Sequence, residues 1–280
     1  MTVSPITTAS FNGHPFPPDV VRDILGVGLA GAPVFSALTP RTTSRASMVF
    51  ATGDPTGFDW VAELGDIPSV DPGDDSAIVV MTKIAGILNL SNESIGDSEL
   101  NLTGEVGRLI AESMAAKVDK DTVYGVTPAA DEAPAGFFAG LTAVDAVTLR
   151  AAVVDAASAL MTNGGMPTTV LLSPALWAAE MTRREAILAT GPLFADLGIP
   201  LQVGVAHTLA ATDALVLDRS GCFGILRDDY SIEASSEAGT AWTKDAVSLR
   251  IKARVAVAIP NPSKHARKLT VTPSAPEGGG

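Results

Sequence analysis

An α+β fold dominated by one long helix and one long β-strand is what this sequence predicts. Near the end of the chain, large apolar residues occupy every second position from 247 to 259, which is the period of a strand with one buried face. Thirteen residues in this register would span roughly 43 Å at about 3.3 Å per residue. From Ser98 to about Thr122, apolar residues recur instead at the spacing of a helix face. Residues 46–82 contain two extended segments separated by turn residues, which indicates a long hairpin.

The chain begins with an arm-like segment, residues 1–45. Six prolines recur through it, and only residues 19–29 have the pattern of a short helix. A segment of this composition cannot bury its own apolar side chains, so we expect it to pack against something else.

The predicted hairpin is strongly acidic. Residues 46–80 hold seven Asp or Glu and no Lys or Arg, with Phe58, Trp60 and Glu63 between two turns. A two-stranded hairpin is marginally stable on its own. The composition leaves two interpretations open: a loop that covers its own domain, or a loop that lies on a neighbouring subunit.

The remaining elements follow from their periodicity and from the residues at their ends. A strand is predicted at 82–90, and the long helix begins after an N-cap at Asp97 or Ser98. A second helix is predicted from Asp145 to Thr162, where two glycines end it. Shorter elements follow, namely strands at 169–172, 201–205, 213–217, 223–226 and 268–271, a helix at 174–189, and a disordered tail at 273–280.

Composition and charge exclude several classes of protein. No apolar stretch reaches the roughly 18 residues that cross a bilayer, and residues 1–10 lack the pattern of a secretory signal. The net charge is −12, and residues 46–249 hold ten Lys or Arg against 28 Asp or Glu. Such an acidic body argues against a dedicated nucleic-acid-binding protein. It suits a wall that encloses nucleic acid without binding it tightly.

The sequence contains no credible catalytic or metal-binding pattern. Cys222, the single cysteine, is interpreted as a small apolar filler, and the three histidines lack metal-ligand spacing. Gly26, Gly28 and Gly31 match a dinucleotide-binding fingerprint, but no strand precedes them, so chance explains the match better. We therefore predict no enzymatic activity and no cofactor.

One basic cluster stands near the end of the chain. We interpret it as a solvated strand end or, alternatively, as a site at an interface or on an inner face of an assembly. Its members are Lys264, Arg267 and Lys268.

Two stretches of sequence carry a resemblance to a known family. The first consists of KIAGILNLSNE (83–93), DSELNL (97–102) and, after the long helix, DKDTVYG (119–125). The second consists of GPLFADLGIPLQVG (191–204), ALVLDRSGCFGILRDDYSIEAS (214–235) and DAVSLRIKARVAVAIPNP (245–262). In order and spacing over residues 45–270, these motifs resemble the major capsid proteins of tailed bacteriophages, which have the HK97-type fold.

The resemblance implies an HK97-like division of the chain. The expected parts are an N-terminal arm at 1–45, an extended E-loop at 46–82, a peripheral domain at 83–128 and 226–272, and an axial domain at 129–225. The peripheral domain is expected to hold the long spine helix and a long-stranded antiparallel sheet.

The resemblance also implies a function in assembly. Pentamers and hexamers of the chain would form an icosahedral head shell around double-stranded DNA, assembled in the host cytoplasm and retained in the virion. A portal and a separate scaffolding protein are implied partners, because the arm is too short to be a scaffolding segment. Residues 46–80 lack the Lys that crosslinks some members, so noncovalent contacts or a cement protein would stabilise the shell. The candidate intersubunit contacts are Phe58, Trp60 and Glu63 on the E-loop and Glu105, Arg108 and Glu112 on the spine helix.

Two alternatives stay open. An encapsulin, a cellular compartment of the same fold, would enclose cargo enzymes, although the proline-rich arm favours the phage protein. A nucleotide-dependent enzyme would use the glycine motif at 26–31, and NAD or ATP would then raise its thermal stability.

Overall fold

The computed structural model describes residues 31–53, 58–70, 75–91, 102–126, 134–186, 191–227 and 231–272 apart from 236, 238 and 240, together with two short strands before them. The strands are β1 Ser10–Phe11, β2 His14–Pro15, β3 Thr39–Thr43, β4 Ser47–Ala51, β5 Ser76–Val80, β6 Thr82–Ser91, β7 Ala143–Ala146, β8 Thr169–Leu172, β9 Gln202–Val205, β10 Asp213–Leu217, β11 Phe223–Arg227, β12 Ser231–Ser235, β13 Ala246–Ala258 and β14 Ala266–Val271. The helices are α1 Pro33–Ala37, α2 Leu102–Tyr124, α3 Leu149–Thr162, α4 Pro174–Ala186 and α5 Pro262–His265. The predicted α+β class is confirmed. The helix expected at 19–29, the N-cap at Asp97 or Ser98, and the tail at 273–280 lie outside the described residues.

The long strand β13 organises the first sheet. β6 pairs with it along Ala246–Val255 on one side, while β12 and β11 follow one another along its other side. β3 then pairs in parallel with β11. The apolar positions of β13 that the sequence singled out, including Ile251 and Val255, are buried against Met114 and Val118 of α2. The predicted long helix and long strand therefore share one core.

The second sheet has the strand order β7-β14-β10-β8-β9. Strands β8 and β10 of this sheet are buried on both faces. Val170 and Val216 pack against α3, whereas Leu171 and Leu215 contribute to a core on the opposite face. A strand covered on both faces has a continuous apolar sequence without alternation, as in β10.

The predicted start of the second helix at Asp145 is wrong. Residues 143–146 form β7, which pairs in parallel with β14, and the helix begins at Leu149. Val144 and Ala146 pack against the core while their neighbours are exposed, which is strand alternation. Thr148 is the N-cap, because its Oγ1 accepts a hydrogen bond from the Ala151 amide at 3.3 Å.

The first residues of the chain are not all arm. Within the expected arm at 1–45, residues 33–43 form α1 and β3, and Val34 and Leu38 are buried in the core beside the second sheet. Parallel pairing of β3 with β11 holds this segment in the first sheet. An arm in the sense of the prediction can therefore extend no further than about Ala30.

Two chain crossings connect the sheets. One runs from β10 through a short turn at 219–221 to β11, and the other runs from β13 through α5 to β14. Because β14 pairs with β10 and β7, residues 266–271 belong to the second sheet. This differs from the predicted grouping of residues 226–272 in one domain, because the period-2 pattern of a strand does not reveal which sheet receives it.

Candidate intersubunit surface

A hairpin formed by β4 and β5 leaves the body of the protein, as predicted. The two strands pair antiparallel from Ser47 with Val80 to Ala51 with Ser76. Its root is fixed on the first sheet, where the Phe50 ring stacks on Phe223 with 5.2 Å between centroids. The guanidinium of Arg41 also lies over the Phe223 ring, 4.6 Å from its centroid. The root is therefore anchored by aromatic packing.

The tip segment, residues 58–70, is exposed along its whole length. It contains two predicted contact residues, Phe58 at 77% and Trp60 at 101% exposure, and the third, Glu63, is exposed between them. Two further apolar residues that sequence analysis missed, Leu64 and Ile67, are 102% and 87% exposed. Contiguous apolar exposure of this kind indicates a surface that is covered by a partner.

The strands of the hairpin show the same pattern. Met48, Phe50 and Val79 pack at the root, whereas Val49 and Ile78, which are paired in register, are more than 60% exposed. The alternation of a strand thus supplies one face to the chain itself and leaves a second apolar face open. The apolar runs of β4 and β5 indicate two apolar faces. They do not show which of the two faces is covered by the chain itself.

The predicted contact residues on the long helix fall in two groups. Glu105 and Arg108 lie in the first two turns of α2, where the structure does not describe side chains, and Glu112 is exposed on α2. Further along, the helix becomes buried at Met114, Ala115 and Val118. Lys117 and Lys120 nevertheless remain exposed in this part of the helix, so a contact surface on α2 is not confined to its first half.

The end of α2 is fastened to the rest of the chain by Asp119, a residue that is fully buried. Its carboxylate accepts hydrogen bonds from the Val34 amide at 3.0 Å, the Phe35 amide at 2.8 Å and the Thr208 hydroxyl at 2.8 Å. It therefore joins α1, α2 and the loop before β10. Nothing in the sequence pattern distinguished Asp119 from the many other acidic residues.

Tyr124 forms the second link at this end of the helix. Its hydroxyl donates to the Asp213 carboxylate at 2.9 Å and accepts from the Ala210 amide at 2.8 Å. Burial is the main reason that the pKa of Tyr124 is raised to about 12. The phenol therefore stays neutral and remains a hydrogen-bond donor at any physiological pH.

The two chain crossings are tied together by Asp218 and His265. The Asp218 amide donates to the His265 carbonyl at 2.8 Å, and the His265 Nδ1 lies 2.9 Å from the Asp218 carboxylate. Burial alone would raise the pKa of Asp218, but hydrogen bonds from Ser220, the Met166 amide and His265 outweigh it, and the pKa lies below its ordinary value. His265 is thus a structural histidine.

Cys222 lies beside this pair and is fully buried, which confirms its interpretation as a filler. Burial, with a smaller effect of Asp218, raises the pKa of the thiol to about 12. A nucleophilic cysteine needs the opposite shift, so a cysteine, a histidine and an aspartate come together here without forming a catalytic site.

The basic cluster at the end of the chain does not form a common surface. Arg267 is buried and donates from Nη1 to the carbonyls of Pro262 and Ala266, while Lys268 lies over the Phe138 ring at 5.2 Å. Adjacent residues of a strand point to opposite faces, so Arg267 and Lys268 cannot bind one phosphate together. One phosphate site shared by Arg267 and Lys268 does not fit this geometry, whereas a position of Lys264, Arg267 or Lys268 at an interface or on an inner face stays a prediction.

Other kinds of site were sought in the described part of the chain. No group of three His, Cys, Asp or Glu residues there is arranged to hold a metal ion. None of the helices described has the length and apolar character of a membrane span. The apolar hairpin therefore stands out as the candidate functional surface.

The chain is similar to known proteins of one family. The model of the phage capsid family matches residues 12–266, and a comparison with curated proteins finds no match.

The fold is similar to a solved structure of Mycobacterium phage Adephagia, with 21% identity, a TM-score of 0.67, and coverage of 88% of this chain and 91% of that chain. It is also similar to one of Microbacterium phage Oxtober96, with 20% identity, a TM-score of 0.66, and coverage of 87% and 91%. The capsid of an empty GTA particle gives 16% identity, a TM-score of 0.64, and coverage of 96% and 95%. Since the family model spans most of its length, the chain belongs to the phage capsid family and is a structural capsid protein.

Proposed function

We propose that this capsid protein assembles as pentamers and hexamers into an icosahedral shell that encloses double-stranded phage DNA. The observation that carries the proposal is the hairpin tip, where Phe58, Trp60, Leu64 and Ile67 expose most of their apolar surface. In a single chain this surface would stay in water, whereas repeated head-to-tail contacts in a closed ring would cover it.

The division of the chain agrees with this proposal. The hairpin corresponds to the E-loop, the first sheet with α2 to the peripheral domain, and the second sheet with α3 and α4 to the axial domain. The hairpin would lie on the adjacent subunit, and the first sheet would carry it. Residues 1–30 would contribute the remaining arm contacts.

The charge distribution supports enclosure of DNA without tight binding. The chain has a net charge of −12, and each Lys or Arg placed on a phosphate would add affinity by counterion release. A wall with little net attraction leaves packed DNA free to leave through a portal. We infer a separate scaffolding protein and a portal as partners, with noncovalent contacts or a cement protein stabilising the shell.

The test is negative-stain electron microscopy of the purified chain, alone and co-expressed with a candidate scaffolding protein from the same genome. Closed shells, or rings of five and six subunits, are the expected result. A chain that stays monomeric under all these conditions would overturn the proposal. Shells that contain a protein cargo and no double-stranded DNA when isolated from infected cells would overturn the packaging part and favour the compartment alternative.

A further inference from the structure

The tip segment contains a residue with a strained backbone, and its side chain is not covered by any of the described residues. Leu64 has a backbone φ of 65° and a side chain that is 102% exposed. A left-handed backbone conformation is unfavourable for a residue with a Cβ and a bulky side chain, such as leucine. The neighbouring Gly65 closes the turn by donating its amide to the Ala62 carbonyl at 2.9 Å, so the turn itself does not need a leucine.

Strain that a fold retains at an exposed position points to a function outside the folded chain. Glycine at position 64 would form the same turn without strain. Leucine there exposes an aliphatic side chain on the tip segment, where none of the described residues covers it. We conclude that this side chain is exposed for contact with a second molecule.

A groove that fits such a side chain lies between α2 and β6. It has a volume of about 370 Å³, which is within the range of pockets that bind small apolar groups. Its rim includes Ile87, which is 69% exposed. The residues that give the groove its apolar lining are Ile84, Leu88, Ile110, Met114 and Ile251.

The charges of the tip segment and of the groove are complementary. The tip segment exposes Asp59, Glu63 and Asp66 and contains no basic residue. Lys117 is the charged residue of the groove lining, where it also pairs with Asp121, and the exposed Lys83 stands at the β6 side. Opposite charges around an apolar centre favour one docking orientation over others.

We propose that Leu64 of one copy inserts into the groove between α2 and β6 of a second copy, and that this contact sets the register of the hairpin on its neighbour. The proposal rests on the shell assembly put forward above and names the surface that receives the hairpin. Each chain carries one tip and one groove, so the contact is head-to-tail and repeats around a ring.

A mixed cross-linking experiment tests the contact directly. Two single-cysteine chains are made in a Cys222→Ala background, one with Leu64→Cys and one with Ile87→Cys, and one of them carries a size tag. They are assembled together and mildly oxidised. A disulfide requires Cα atoms within about 7 Å, so a heterodimer band is expected. The matched control replaces Ile87→Cys by Val147→Cys, at a position directly after β7 where the valine is 60% exposed, and it should give no band.

A second variant separates a structural role of Leu64 from a role in docking. Leu64→Gly removes the strain, so the unassembled chain should be at least as resistant to urea as the wild type. Assembly should nevertheless need about a tenfold higher protein concentration, because an anchor at an interface is lost. Leu64→Met, which keeps a large aliphatic side chain, should assemble nearly as the wild type does.

The outcomes distinguish the two proposals. Wild-type shells without the heterodimer band, or with equal bands from both partners, would overturn the docking site and leave shell assembly intact. Undiminished assembly of Leu64→Gly would overturn the anchor role in the same way. Failure of the wild-type chain to assemble under any condition would overturn both.

Discussion

At the scale of single residues, buried carboxylates determine how the parts of this capsid protein are joined. Asp119 accepts three hydrogen bonds from two other segments of the chain. Because the carboxylate is fully buried, water cannot replace it if it is removed. Its donors would then lose their partners, which costs more free energy than the same hydrogen bonds contribute on average.

We therefore expect Asp119→Ala to lower the free energy of unfolding by about 2–4 kcal/mol. Asp119→Asn keeps one acceptor oxygen and should have an intermediate effect. Urea denaturation of the unassembled chain followed by circular dichroism measures the change. The matched control is Asp121→Ala, two residues further along α2, which removes a pair with the exposed Lys117 of the same helix and should cost less than about 1 kcal/mol. Equal effects of the two alanine variants would contradict the role given to Asp119.

Asp218 makes the junction between the two sheets sensitive to acid. Its pKa is lower in the folded chain than its ordinary value, so the stability that it contributes is present above about pH 3.9. That stability is lost as the pH falls through the lower folded value. Ser220→Ala removes the hydroxyl that donates to Asp218 at 2.7 Å, which raises the folded pKa of Asp218, so the loss of stability in acid should be smaller and should be complete at a higher pH. Urea denaturation at a series of pH values from 2 to 6 measures the shift. An unchanged pH profile would show that this hydrogen bond does not control the Asp218 carboxyl.

At the scale of elements, the sequence predicted what depends on periodicity. β13 and α2 were predicted within a few residues of their observed ends, because one alternates apolar residues and the other repeats them at helical spacing. The two strands of the hairpin were also predicted, from turn residues. Strand partners could not be predicted in the same way, since β14 was grouped in one domain with β13 but pairs with β10.

Elements that depend on tertiary contacts were missed. α1 is only five residues long, and it is held by the distant carboxylate of Asp119 and not by its own propensity. Part of β7 was taken as the first turn of α3, whereas pairing with β14 makes it a strand. At the candidate surface, aromatic residues of the tip were found from composition, but Leu64 was not, since its backbone angle cannot be derived from residue type.

The turn after α3 is sensitive to a single added methyl group. A Cβ on Gly165 would lie 2.0 Å from the Lys264 carbonyl oxygen, and that backbone cannot move without moving α5. We expect Gly165→Ala to lower the free energy of unfolding by about 2 kcal/mol or more. Gly140→Ala is the control, because a Cβ there meets no atom within 4 Å and should change stability by less than about 0.5 kcal/mol. Thermal or urea denaturation of both variants decides, and a harmless Gly165→Ala would mean that the α3 turn and α5 are not packed as described.

At the scale of the whole molecule, the body and the hairpin have separate tasks. The described cores lie between α2 and the first sheet, on both faces of the second sheet, and under the hairpin root. None of these cores includes a residue of the tip segment. The described cores therefore belong to the body of the chain, while the tip segment leaves its apolar surface exposed.

This separation predicts a variant that folds and does not assemble. Ala51 and Ser76 are paired directly in the hairpin, so residues 52–75 can be replaced by Asn-Gly, a two-residue turn suited to this geometry. The free energy of unfolding should change by less than about 1 kcal/mol, because no core residue is lost and shortening a loop has a small entropic effect. Closed particles should disappear, as measured by sedimentation velocity and electron microscopy beside the wild-type chain. Shells of normal size from this variant would mean that other contacts suffice for assembly, and a variant that fails to fold would mean that the tip segment contributes to the core.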